Sequence, residues 1–194
     1  MYTGIILAGG KSSRMKTDKA LLKLGETTLT QRVAGILKLF CNEILISTNR
    51  DDLNIIDCIS IPDEIPELGP IGGIYTCLKQ AKNEKSIILT CDTPFVSEEL
   101  IKLLISNDLS AEITAFKKME FMFPFPGIYD KKIIPKIEQM INVKNYKIQN
   151  LLKNTLSNII EISESNEYIE QEFLNLNTQN DYQKAKEIYN ERKN

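Results

Sequence analysis

Short apolar runs at residues 4–7, 44–47, 58–61 and 87–90 alternate with segments whose apolar residues recur at helical spacing. This alternation predicts a parallel sheet with crossover helices. Leu29, Val33, Ile36, Leu37 and Phe40 make one helical stripe between the first two runs. Ile71, Ile74, Tyr75, Leu78 and Ala81 make another between the third and fourth. A further helix is predicted to start at Ser97, whose hydroxyl can cap it, with Glu98 and Glu99 at the positive end of its dipole, and to run to about Asn107.

Beyond that helix, residues 111–116 and 121–129 have strand character. Pro124 and Pro126 interrupt the second of these, which predicts an edge position or a functional break there. Helices are expected near 133–141 and 148–152, a strand near 159–162, and a final amphipathic helix carrying Tyr182, Ala185, Ile188 and Tyr189. The expected class is α/β, a three-layer α/β/α Rossmann-like fold with a mostly parallel central sheet. A chain of 194 residues with 42% apolar content suits one domain.

The formal charge of -2 provides no global basic field, so wrapping of a nucleic acid is not expected and any phosphate binding must be local. Four cysteines without a C-x-x-C pair, and no histidine, encode neither a zinc framework nor a redox dithiol. Lack of histidine also removes the commonest general base, leaving metals, lysine, arginine and carboxylates for any catalysis. No basic n-region opens the chain and no apolar run approaches the ~20 residues that span a bilayer, so a cytoplasmic protein with no membrane contact is expected.

The first strand leads into Leu7-Ala8-Gly9-Gly10-Lys11-Ser12-Ser13-Arg14-Met15-Lys16-Thr17-Asp18-Lys19. Gly9 and Gly10 can bring backbone N–H groups to a phosphate while Arg14 and Lys19 neutralise its charge. An ordinary strand-to-helix turn with solvated lysines would carry the same Gly-Gly pair, and neither the Walker loop nor the G-x-G-x-x-G fingerprint is matched. Cys91-Asp92-Thr93-Pro94 follows the 87–90 run. A carboxylate at the carboxyl end of a parallel strand lies where open α/β sheets bind ligands. Asp92 is therefore the candidate Mg²⁺ ligand, with a plain turn aspartate as the alternative. Pro62-Asp63-Glu64 and then Gly69-Pro70-Ile71-Gly72-Gly73-Ile74 form a loop entering a helix, where small residues would leave room for a flat ring.

Taken together these strings resemble the molybdenum cofactor guanylyltransferases, the MobA family, over nearly the whole chain. That family carries LAGG-x-S-x-R-M-G-x-D-K, an acidic residue ahead of G-P-L-A-G-I, C-D-x-P, a P-x-x-G-x-Y-like segment and F-x-N-x-N-T-P. The matching positions here are 7–19, Asp63, 69–74, 91–94, 124–129 and 173–178. The resemblance implies transfer of GMP from GTP to the terminal phosphate of molybdopterin with release of pyrophosphate. Molybdoenzymes or cofactor-delivery proteins would be transient partners.

By the same resemblance Leu7, Ala8, Gly9 and Gly10 would hold the nucleotide, Lys19 its phosphates, Asp63 the nucleoside and Asp92 the nucleotide-bound Mg²⁺, with Gly69 and Ser47 also at the GTP. Arg14, Lys19 and Asp92 are the candidate catalytic residues. Residues 1–107 would form the GTP and metal part and 108–194 the acceptor part. Asn175 and Asn177 would lie near the cleft on the pterin side, or simply shape the turn before the last helix. The chain departs from the family pattern at Lys16 for glycine, Ser47 for asparagine, Phe123 for a polar residue and Gln179 for proline. A relative using CTP or another phosphate acceptor, and a non-catalytic nucleotide or pterin carrier, are the competing classes.

Overall fold

The structure, a computed structural model, describes residues 1–9, 19–50, 52–162 and 167–193. In chain order the elements are β1 (Tyr2–Leu7), β2 (Lys23–Leu24), β3 (Thr27–Thr28), α1 (Leu29–Leu37), β4 (Cys41–Ser47), β5 (Ile59–Ile61), α2 (Pro70–Gln80) and β6 (Lys85–Thr90). They continue with α3 (Glu98–Ser106), β7 (Ile113–Lys118), β8 (Phe121–Asp130), α4 (Ile134–Asn142), α5 (Ile148–Asn154), β9 (Ser157–Glu161), α6 (Glu167–Glu172) and α7 (Gln179–Glu191). Short 3₁₀ turns cover Lys19–Leu21 and Lys131–Ile133.

The main sheet has seven strands in the order β5-β4-β1-β6-β8-β7-β9. β5, β4, β1 and β6 are mutually parallel, β7 and β9 pair in parallel, and β8 runs antiparallel to both its neighbours. Alternation along each strand sends side chains to opposite faces. Ile6, Ile46, Ile87 and Leu89 pack on one face with Val33 and Leu37 of α1 and Leu100, Ile101 and Leu104 of α3. Ile5, Leu45 and Ile88 pack on the other with α2, α4 and α5 through Ile71, Leu78, Ile137 and Leu151. Three layers result, because strands covered on both faces need apolar residues at every position.

The predicted cap forms. Ser97 accepts from the Leu100 N–H at 3.0 Å, and α3 stops at Asn107. The α1 stripe continues past the helix, since α1 ends at Leu37 and Phe40 packs from the turn that follows. Every residue of α2 from Ile71 to Leu78 is buried, so its stripe is part of a helix covered all round. No helix among the described residues is long and apolar enough to cross a membrane.

Of the two readings of Pro124 and Pro126, the edge position is corrected and the break is found: β8 is an interior strand whose pairing is interrupted at these residues. It tolerates them because its ladder to β6 uses only residues 127–130, while its register to β7 shifts between Thr114 and Phe116, passing from Ile128 to Phe123. The missing proline N–H groups therefore fall where no ladder bond is made. The small residues of α2 also admit neighbouring protein atoms. A Cβ on Gly72 would lie 3.1 Å from Leu68 Cβ and 3.2 Å from the Ile65 carbonyl, and one on Gly73 would lie 2.3 Å from Ser47 Oγ. Gly73, with Gly69 and Pro70, lines the cavity at the carboxyl edge of the sheet.

A smaller cluster ties the C-terminus to the start of the chain. Leu176, Ala185 and Ile188 pack with Leu24 and Leu29 of the β2–β3 hairpin region and with Phe95. Tyr182 Oη donates to the Lys23 carbonyl at 2.5 Å. Thr178 caps α7 and Asp181 reciprocates, accepting from the Thr178 N–H at 2.7 Å.

Candidate active site

A cavity of about 1090 Å³ opens over the carboxyl ends of β1, β4 and β6. The chain turns from β1 towards β4 on one side and returns to β6 on the other. The crevice thus sits at the point where strand order reverses, the usual ligand site of an open α/β sheet. Leu7 and Ala8 are fixed there by backbone bonds that extend the ladder. The Ala8 N–H donates to the Ser47 carbonyl at 3.0 Å, and the Cys91 N–H donates to the Leu7 carbonyl at 3.1 Å.

Lys19, on the 3₁₀ turn Lys19–Leu21, and Asp92, just past β6, meet across this switch point. Lys19 Nζ lies 3.0 Å from Asp92 Oδ2, with side-chain exposures of 18% and 16%. Such shielding makes the pair stronger than an ordinary surface ion pair. Lys19 Nζ also donates to Asn177 Oδ1 at 2.7 Å. Asp92 Oδ1 is buried and has no hydrogen-bond partner among the described residues. An orphaned carboxylate oxygen in a polar cleft suits a hard cation. Among the described residues no group of three or more His, Cys, Asp or Glu side chains could cage one, so phosphate oxygens and water would complete the shell.

On the opposite wall Ser47 Oγ donates to Asp63 Oδ1 at 2.8 Å, and the Asp63 N–H donates to Asn49 Oδ1 at 2.9 Å. The Asp63 carboxylate is held in one orientation at the cavity by these contacts. Gly69, with φ of 63°, starts α2, and Pro70 follows as its first residue. Both line the cavity, so the positive end of the α2 dipole faces it and favours an anion. Phe123, Pro124, Phe125 and Phe173 form an apolar wall beyond β6, with Phe123 and Phe173 ring centroids 4.6 Å apart.

Leu7, Ala8, Gly9, Lys19, Ser47, Asp63, Gly69 and Asp92 therefore line one cavity, joined by Asn175, whereas Asn177 turns its amide oxygen to Lys19. Gly10, Arg14 and Lys16 lie outside the described residues. Thr48, Asn49, Arg50 and Gln149 line the cavity without having been singled out in the sequence. The polar run Ser47-Thr48-Asn49-Arg50 at the carboxyl end of β4 was the available signal for three of them, since loops at that edge carry ligand contacts.

Known proteins resemble this chain over most of its length. The family profile of the MobA-like NTP transferase domain matches residues 4–159. A protein of Carboxydothermus hydrogenoformans named "probable molybdenum cofactor guanylyltransferase" is 34% identical over 189 residues, covering 96% of each chain. A solved structure from Aquifex aeolicus superposes with a TM-score of 0.76 at 32% identity, over 91% of this chain and 94% of that one. The molybdopterin-guanine dinucleotide biosynthesis protein A of Archaeoglobus fulgidus shares the fold, with a TM-score of 0.82 at 19% identity over 97% and 99% of the two chains.

Proposed function

Because this chain belongs to the MobA-like NTP transferase family, we propose that it transfers GMP from GTP to the terminal phosphate of molybdopterin, releasing pyrophosphate. The observation that carries this reading is the shielded Lys19–Asp92 pair at the strand-order reversal, inside a cavity with room for a nucleotide and a second substrate.

The chemistry needs no general base. An oxygen of the acceptor phosphate, already anionic, attacks the α-phosphorus of GTP. The new P–O bond forms as the bond to the β-phosphate oxygen breaks, and the electron pair leaves on pyrophosphate. What the protein must do is bring two anions together and stabilise the charge that moves to the leaving group. Lys19 supplies a cation, and the first turn of α2 supplies an oriented dipole. Asp63, acceptor-only and pre-oriented by Ser47 and Asn49, suits the hydrogen-bond donors of a nucleoside. Mg²⁺ held by Asp92 would neutralise charge on the triphosphate. The acceptor would lie along Phe123, Phe125, Phe173 and Asn175. A GTP-consuming reaction and four free cysteines accord with the cytoplasm.

Calorimetric titration with GTP, ATP, CTP and UTP, each with Mg²⁺, tests the assignment. GTP is expected to bind best, by at least about tenfold over ATP, because a mismatched base leaves buried polar groups unpaired. Equal or tighter binding of CTP would overturn the guanylyl assignment.

A further inference from the structure

Asn177 and Lys19 are 158 positions apart in the chain, yet the 2.7 Å bond between them is shorter than the 3.0 Å contact from the same ammonium to Asp92. The asparagine is firmly mounted. Its neighbour Leu176 is fully buried against Leu24, Leu29 and Phe95, and the Leu176 N–H donates to the carbonyl of Asp92 itself at 2.9 Å. The Asn177 N–H donates to Asp181 Oδ2 at 3.0 Å, which locks the residue to the capping box of α7. One short segment therefore grips both partners of the ion pair, Asp92 by backbone and Lys19 by side chain.

We propose that Asn177 is a positioning residue for Lys19, so that the C-terminal segment completes the triphosphate site. This rests on the phosphate role of Lys19 in the proposed function. Lysine is a point charge on a flexible four-carbon stem, and its usefulness at a reacting phosphate depends on where that charge is held. An amide oxygen suits the task, because it accepts a hydrogen bond without cancelling the ammonium charge. The hold of Asp92 on the lysine weakens when its carboxylate engages a cation. Asn177 supplies an anchor independent of that exchange. Asn177 Oδ1 is thereby committed to the enzyme's own lysine, and the effect of losing it should appear in GTP parameters and not in acceptor affinity.

The test compares wild type, Asn177→Ala, Lys19→Met and the double variant. MgGTP affinity is measured by calorimetry without acceptor, and steady-state kcat and KM are measured for both substrates, with thermal melting as the folding control. Asn177→Ala is expected to lower GTP affinity and kcat/KM for GTP by about tenfold, as for loss of a hydrogen bond to a charged group. The acceptor KM and the melting temperature should stay at wild-type values. In the Lys19→Met background the same substitution should have no further effect, since the group it positions is gone. A raised acceptor KM with unchanged GTP parameters, or an equal penalty in both backgrounds, overturns the inference. Wild type that binds no GTP overturns the proposed function and the inference together, whereas wild-type binding matched by Asn177→Ala overturns the inference alone.

Discussion

Ser47 and Gly73 share one small volume between β4 and α2. A Cβ on Gly73 would lie 2.3 Å from Ser47 Oγ and 3.0 Å from Ser47 Cβ, and that same hydroxyl donates to Asp63 Oδ1 at 2.8 Å. The absent side chain at 73 is what allows the serine to point at the aspartate. Gly73→Ala should therefore destabilise the protein by about 1 to 3 kcal/mol, as overpacking of a dense core does. It should also weaken GTP binding by freeing Asp63. In a Ser47→Ala background the stability penalty should shrink, because the 2.3 Å contact is removed. Urea unfolding of the four proteins measures the coupling, and additive penalties would show that the two residues do not compete for the space.

Asp92→Ala should abolish transfer and leave the fold intact. The substitution removes a carboxylate whose buried Oδ1 has no hydrogen-bond partner among the described residues, and such an unsatisfied atom costs about 1 to 3 kcal/mol, which offsets loss of the Lys19 ion pair. Lys19 keeps Asn177 as an acceptor. Melting temperature should accordingly stay close to wild type, while GTP affinity measured with and without Mg²⁺ should become the same. Mg²⁺-dependent binding that survives in the variant would remove Asp92 from the metal site.

Glu112 joins the last two parallel strands at their start, accepting from Lys136 Nζ at 2.6 Å and from the Leu156 N–H at 2.8 Å. The Lys136 hydrogen bond first, and the Leu156 N–H second, hold its carboxyl below the ordinary value of 4.5. A carboxylate depressed in the folded state contributes stability that is present above the unfolded value and is lost as pH falls through the folded one. Glu112→Gln should thus cost more stability at pH 6 than at pH 3. Urea midpoints of the two proteins at both pH values measure this, and a penalty that does not shrink in acid would show that the charge of Glu112 is not what holds the strands.

Much of the N-terminal part was legible because its signals are local. A strand buried on both faces must be continuously apolar, so residues 4–7, 44–47 and 87–90 could be placed in a parallel sheet, and the polar residue that ends such a run must lie at the ligand edge. The places of Asp92 and Lys19 at the cavity followed from that. The same logic could not choose at β8, whose prolines suggested either an edge or a functional break. Its neighbours β6 and β7 are contributed by distant stretches of chain, and only their registers reveal that the prolines fall in a gap of the ladder.

Gly73 shows the limit from another side. A glycine advertises space but not what fills it, and here Ser47, on the adjacent strand, fills it.

By itself the amino-acid sequence determined the layers, the order of the main strands and helices, the cap at Ser97, and which residue types stand at the carboxyl edge of the sheet. Periodicity, capping and chain polarity act over a few residues, and each leaves its mark within that span. Only the tertiary structure decided that Asn177 faces Lys19, because that contact depends on how Leu176, Ala185 and Ile188 seat the last helix on Leu24 and Leu29. Seating of this kind is a property of packed apolar surfaces, which no local pattern specifies.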